Sequence, residues 1–391
     1  MNWRYAKPIL VSRNALITFA WSAPMHELAA NVGISDVGLK KVLRSHGIIT
    51  PPQGHWNKVR AGKKVQDPPH ATPRGPGESG RVALDERFRG IIEQAEPIPA
   101  DGPFTSPVVP ENLEELRAYE LKAIGRAAVP RDLHKPHRGL VKLLKREDVV
   151  KKKAEENRWY WDKPAFDTKL GQRKLKLLNA LFYTLERRGH IGSAWEQDGT
   201  LEAHCMIGNQ QLGLTFTVVG KHRTENIAGY QRPARDLPAS TPLAISIKRK
   251  FRTDIKVLWQ DDDAGKLEAK LAEIAADIIV AGEASFRQGL LEAIEREEEQ
   301  RKWEEKQRQK RIAELNGERL ENLKTSGKLL AQAEEIRVLV DRVKVAVVEG
   351  WANIAEKELA AWEEWACRYA DDLDPVLSGQ VLSHMHVPSL D

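Results

Sequence analysis

The stretch Pro24-Met-His-Glu-Leu-Ala-Ala-Asn-Val-Gly-Ile-Ser-Asp-Val-Gly-Leu-Lys-Lys-Val-Leu-Arg44 decides how the chain is read. Two short runs with helical apolar spacing flank Gly33, which supplies a turn, and Ala29 is small enough for two helices to cross closely. Leu28, Ile34, Leu39 and Val42 fall where a shared seam needs apolar side chains, and Ser35 or Asp36 is placed to cap the second helix. This is the spacing of a helix-turn-helix. It leaves Ser35, Asp36, Val37, Lys40, Lys41 and Arg44 facing outward, where a DNA major groove would lie. Asp36 repels phosphate unless backbone amides at the helix start satisfy it first. The competing reading is a two-helix corner with a purely structural role.

Outward from this segment, Pro51-Pro-Gln-Gly-His-Trp56 reads as an extended, aromatic-ended arm, and Asn57 to Lys64 adds four cations. His55, Lys58, Arg60, Lys63 and Lys64 therefore join Ser35, Val37, Lys40, Lys41 and Arg44 as candidate DNA-binding residues, the arm following the backbone or entering a minor groove. Alternatively, Trp56 folds back as a core residue of the small helical domain.

At these residues the chain resembles a widespread uncharacterised bacterial protein family. Its N-terminus joins a Pro-Met-x-x-Leu-Ala-x-x-x-Gly-Ile-Ser-Asp helix-turn-helix to a Pro-Pro-x-Gly-aromatic-Trp tail and is followed by a long helical C-terminal region. Leu175-Lys-Leu-Leu-Asn-Ala-Leu181, Leu185-Glu-Arg-Arg-Gly189 and Trp365-Ala-Cys-Arg-Tyr-Ala-Asp-Asp-Leu-Asp-Pro375 are similar to that family's middle and C-terminal landmarks. The resemblance covers most of the chain and implies no established activity, reaction or catalytic residue. His55 stands where tyrosine is common.

Beyond Lys64 the sequence divides into three further regions. Residues 65–110, rich in proline and glycine, are expected to be a linker with one short helix at Val82 to Gln94. Residues 111–264 are expected to hold a helical connector, with helices over Glu111 to Ala128 and a lysine-dense Leu140 to Glu156, and then an α+β module. That module opens with an amphipathic helix from Thr168 to Arg188, stopped by Gly189. Short β-branched or aromatic runs follow at Ile191 to Trp195, Leu201 to Met206, Leu212 to Val219, Leu243 to Ile247 and Asp254 to Trp259. Turns at Asp198-Gly199 and Gly208-Asn209 make them an antiparallel sheet. Gly220 to Thr241 reads as an exposed loop whose Lys221, His222, Arg223, Arg232 and Arg235 suit an acidic partner.

Residues 265–391 read as a long charged helix and a hairpin turning near Thr325-Ser-Gly327, with a last helix over Ala352 to Ala370. Glu295 to Arg311 is almost wholly charged or amide, broken by Trp303, and no strict heptad is sustained as an ordinary coiled coil would need. The expected class is α+β, mainly helical: an N-terminal helix-turn-helix domain over residues 1–64, a small antiparallel sheet module and extended C-terminal helices.

Composition limits the function classes. Two distant cysteines, Cys205 and Cys367, make neither a zinc tetrad nor a disulfide framework, and no run of about 18 apolar residues suits a membrane span. A cytoplasmic protein is expected. The net charge of +5 conceals 30% charged residues, leaving room for local basic faces. A metal nuclease has one candidate passage, Asp261-Asp-Asp263 with Lys266, Glu268 and Lys270, which reads better as the cap of a helix beginning near Gly265. Adjacent strand residues His204 and Cys205 point to opposite faces and do not make a nucleophile and base. His134, His137, His384 and His386 lack metal-ligand spacing, and there is no phosphate-binding G-x-x-x-x-G-K-[ST] loop. No catalytic residue, metal or cofactor is assigned. The expected partner is double-stranded DNA, with a regulatory role or an accessory role for mobile elements or defence. The principal alternative is an assembly protein that binds itself or another protein through its C-terminal helices.

Overall fold

The computed structural model describes residues 8–157, 164–197, 200–227, 230–234 and 236–385; the expected turn at Asp198-Gly199 and the candidates Arg235 and His386 lie outside them. The fold is α+β, and the chain forms two compact units, Met1–Ala293 and Ile294–Asp391.

The first unit opens with β1 (Ile9–Ser12), α1 (Arg13–Ala20), α2 (Met25–Val32), α3 (Asp36–Ser45) and α4 (His55–Arg60), and the chain then returns as β2 (Arg81–Leu84). β1 and β2 pair antiparallel, Ile9 opposite Leu84, and Val11 bridges Gln94 as well. Alternation along both strands turns Ile9, Val11, Val82 and Leu84 inward, where they meet Leu16, Phe19, Leu28, Leu39 and Leu43 of the helices. The tract expected to be a linker is therefore part of the core. Val82 to Gln94 is a strand followed by a 3-10 turn at Glu86–Phe88 instead of a helix, because Val82, Leu84, Phe88 and Ile92 all find burial in that arrangement.

Next come α5 (Leu113–Ile124), α6 (Arg138–Glu156) and α7 (Lys169–Glu186), whose N-caps Asn112, His137 and Thr168 each accept a hydrogen bond from a first-turn amide. The sheet comprises β3 (Ile191–Gln197), β4 (Thr200–Ile207), β5 (Gln210–Val218), β8 (Leu243–Ile247) and β9 (Leu258–Gln260), antiparallel and in the order β3-β4-β5-β8-β9. Leu201, Ala203, Cys205 and Ile207 of β4 face the helices, while Glu202, His204 and Met206 lie on the half-covered face. The expected loop at Gly220 to Thr241 holds a hairpin, β6 (Thr224–Ile227) with β7 (Tyr230–Pro233).

The apolar start of α8 (Leu271–Val348) completes this core through Leu271, Ile274, Ala275, Ile278 and Ile279. A boundary at residue 264 would divide the core; the unit extends to Ala293. The acidic triplet precedes α8 but does not cap it. Asp261 accepts hydrogen bonds from the Leu243 and Leu267 amides and pairs with Arg173 at 2.9 Å, and Asp262 pairs with Lys270.

A buried carboxylate joins the proline-rich tract to α8. Glu283 is paired with Arg74 at 2.7 Å and Arg287 at 2.9 Å, and accepts the Gly77 amide at 2.9 Å. Arg74 also donates to the Phe104 carbonyl at 3.0 Å, and Arg287 lies over the Phe104 ring. Gly77, at φ 75°, approaches the β4–β5 turn so closely that a Cβ there would sit 2.2 Å from the Ile207 carbonyl oxygen.

In the second unit the hairpin turns later than the sequence suggested. α8 passes unbroken through Thr325-Ser-Gly327, since one glycine among good helix formers costs only about 1 kcal/mol. The reversal lies at residues 349–355, where Gly350 adopts φ 81°, and α9 (Glu356–Leu373) follows, then α10 (Leu382–Met385). Arg337 pairs with Asp371 at 2.8 Å and Asp374 at 3.0 Å, and Lys344 with Glu363 at 2.7 Å. Ala333, Val340, Ala366 and Ala370, with Pro375, are the buried apolar residues of this unit among those described.

Burial opposes ionisation of Glu283, but the hydrogen bonds from Arg74, the Gly77 amide and Arg287 prevail and hold its carboxyl below the usual glutamate range. A depressed pKa contributes stability above the unfolded-state value, and the contribution is lost as pH falls through the folded-state value. Glu283→Ala is expected to destabilise the first unit by about 3–5 kcal/mol at neutral pH, having stranded two arginines. Urea unfolding at pH 7 and at pH 4 should show the gap between wild type and variant narrowing in acid; an equal gap at both pH values would refute the assignment.

Candidate nucleic-acid interface

The α2–α3 corner is built from local interactions. Gly33 ends α2 in the left-handed region, φ 71° and ψ 35°, and the Ile34 amide returns to the Ala29 carbonyl at 3.0 Å. Ser35 begins α3, its Oγ accepting from the Gly38 amide at 3.1 Å. Leu28, Ala29, Val32, Leu39 and Leu43 are buried, with Ile34 and Val42 packed at the edge. Leu43, absent from the expected seam, is fully buried.

The opposite side of α3 is open. Val37, Lys40, Lys41 and Arg44 recur at positions i, i+3, i+4 and i+7 and form one stripe, all exposed, with Val37 at 72%. Among the described residues, Lys40, Lys41 and Arg44 have no carboxylate within ion-pair distance. Ser35 lies at the start of this stripe and Asp36 in the first turn, both exposed.

The arm differs from the expectation. It is not extended through Trp56, because α4 begins at His55. His55 is buried, its ring 5.3 Å from Trp21 and 5.1 Å from Trp56, both edge to face. Trp21 is itself fixed by its indole N–H on the Ile49 carbonyl at 2.8 Å. His55 is therefore a packing residue and is withdrawn from the DNA-binding set. It takes the buried position that the alternative reading gave Trp56, which is only half-buried. Lys58 and Arg60 project from α4, and Lys63 and Lys64 follow it, all exposed. Arg60 approaches Glu27 at 3.9 Å, which ties the arm to the first turn of α2 rather than to α3. His26, exposed beside Glu27 at 3.7 Å, belongs to the same edge; no spacing in the sequence marks it.

Other candidates are absorbed by structure. Arg223 pairs with Asp236 and Glu225, so its charge is met locally. Arg173 binds Glu268 at 2.7 Å as well as Asp261, and its pull, together with amide hydrogen bonds, keeps both carboxylates below their ordinary pKa range despite burial. That geometry explains Asp261 and Glu268 as a lock between α7 and the sheet. Cys205 is buried, which pushes its thiol far up. His137 caps α6 with Nδ1 and turns Nε2 toward Glu186 at 3.3 Å. Among the described residues no three His, Cys, Asp or Glu side chains are grouped to hold a metal ion, and no helix is long and apolar enough to cross a membrane. No family model matches the chain, and no curated protein or solved structure is significantly similar to it.

Gly33→Ala tests the corner. A Cβ there meets nothing within 4 Å, so only the left-handed backbone opposes it, and a loss of about 1–2 kcal/mol is expected. Thermal unfolding that leaves the variant as stable as wild type would show that the turn does not depend on this conformation.

Proposed function

We propose that the protein binds double-stranded DNA, using α2 and α3 as a helix-turn-helix with α3 in the major groove. The observation that carries this reading is the exposed stripe of Val37, Lys40, Lys41 and Arg44 on a helix whose other face is sealed into a core. Much of the arginine elsewhere in the first unit is committed to carboxylates; these three cations have none to neutralise them, and a phosphate backbone would do so. Ser35 and Val37, near the N-terminal end of α3, are placed for base edges, the hydroxyl for a hydrogen bond and the valine for a thymine methyl. Lys58, Lys63 and Lys64, with Arg60 shared with Glu27, supply phosphate contacts that position the module without reading sequence. A regulatory role, or an accessory role for mobile elements or defence, is the setting in which such a module acts.

Fluorescence anisotropy of the full chain on random duplex DNA across a salt series tests the proposal. Wild type should bind with affinity that falls steeply with salt, and Lys40→Ala with Arg44→Ala should lower the logarithmic salt slope by about 2, roughly 0.9 per phosphate contact. Circular dichroism should be unchanged, since both side chains are exposed. Affinity and slope equal to wild type in the double variant would remove α3 from the interface.

A further inference from the structure

α3 opens on a carboxylate that the chain itself does not use. Asp36 is the first residue of the helix and is exposed. The capping role open to it belongs instead to Ser35, whose Oγ accepts from the Gly38 amide at 3.1 Å. Among the described residues, the Asp36 carboxylate accepts no hydrogen bond and has no cation within ion-pair distance. Lys40, four residues on, is its neighbour on the helix surface, yet the two are not paired. Other carboxylates of the first unit are employed: Glu78, Glu120, Asp261, Glu268 and Glu283 each hold an arginine.

Against DNA an unpaired carboxylate is costly on most sequences. It meets phosphates of its own sign, and among the base edges of the major groove it meets guanine O6 and N7, thymine O4 and adenine N7, all acceptors like itself. Two bases offer it a donor there, cytosine through its N4 amine and adenine through its N6 amine. The adenine amine stands beside N7, whose lone pair repels a second acceptor, whereas the cytosine amine has no acceptor beside it in that groove. Cytosine is therefore the base that a carboxylate at the start of α3 takes without penalty. The flanking residues discriminate less. The Ser35 hydroxyl turns to donate or accept and so suits either kind of base edge, and Val37 rewards a thymine methyl without penalising the alternatives strongly, but a carboxylate only accepts. Selectivity needs such a penalty on the wrong partner as well as a reward on the right one.

We infer that Asp36 is the specificity-determining residue of the module, accepting the N4 amine of one cytosine in the major groove and rejecting other bases at that position. The inference rests on the proposed placement of α3 in that groove. Selection of duplexes from a random pool by the full chain, followed by sequencing, tests it. Wild type should enrich sites with cytosine fixed at one position, and anisotropy should show roughly tenfold weaker binding when that C·G pair is changed to T·A, the effect of one good base contact. In Asp36→Ala the preference at that position should vanish while the rest of the site stands, and affinity for random duplex should rise, because a charge of the phosphates' sign has gone. Asp36→Asn should move the preference toward adenine, whose N6 and N7 an amide meets together. Both variants should keep the wild-type circular dichroism, Asp36 being exposed and outside the cap. An Asp36→Ala protein that enriches the same bases as wild type at every position would overturn the inference and leave DNA binding intact, the carboxylate then serving the helix dipole alone. A wild-type preference for another base at the position that Asp36 controls would overturn it as well. No binding of wild type to any duplex at low salt would overturn the inference together with the DNA reading beneath it.

Discussion

The carboxylate of Glu283 is the point on which the first unit depends. It holds Arg74, Arg287 and the Gly77 amide at once, in a site closed to water, and so fixes where the proline-rich tract crosses α8 and the β4–β5 turn. From that crossing the chain has only a few residues before β2, and on the way Glu78 pairs with Arg13 in the first turn of α1 at 3.1 Å. Two ion pairs thus connect the core of the sheet to the helices that display Lys40, Lys41 and Arg44. Replacing such a pair by apolar residues is often neutral in stability, so the gain from Glu283 is directional: apolar contacts alone would let the tract slide, whereas a bidentate arginine has one register.

What could be read from the sequence follows from the range of the interactions involved. The α2–α3 corner is set by Gly33, Ser35 and an apolar seam, all within twenty residues, and each acts through a hydrogen bond or a backbone preference visible locally. The sheet strands were legible for the same reason, since alternation is a property of each strand. By contrast, Ile9–Ser12 finds its partner at Arg81–Leu84 across four helices, and no pattern in either segment names the other. The prolines between them argued for a linker, and nothing local reveals that Arg74 will meet Glu283. His55, expected in an extended arm, is instead buried, because its neighbours Trp21 and Trp56 offer ring edges that pack against the imidazole. The hairpin turn expected near Thr325-Ser-Gly327 lies instead at residues 349–355, because a glycine among good helix formers leaves a helical backbone intact.

Arginine and lysine divide the work. Each buried carboxylate among the described residues, Glu120, Asp277, Glu283 and Asp374, is met by arginine: Arg188, Arg117, Arg74 with Arg287, and Arg337. A planar fork with several donors satisfies both oxygens of a carboxylate that has lost its water, which an ammonium group does poorly. The exposed faces of α3 and of the segment after it carry mainly lysine, whose strongly hydrated head group favours contacts that form and break in water.

This division explains why the net charge of +5 says little about partners. A cation bound to a buried carboxylate contributes almost no outward field, and a surface pair such as Arg223 with Asp236 contributes little more. The field that reaches a polyanion comes from the residue of the balance, the cations left without partners, and among the described residues of the N-terminal part these include Lys40, Lys41 and Arg44 on one face of α3 and Lys58, Lys63 and Lys64 on and after α4. Spatial sorting of paired from unpaired charge, rather than the sum over the sequence, gives α3 a basic face.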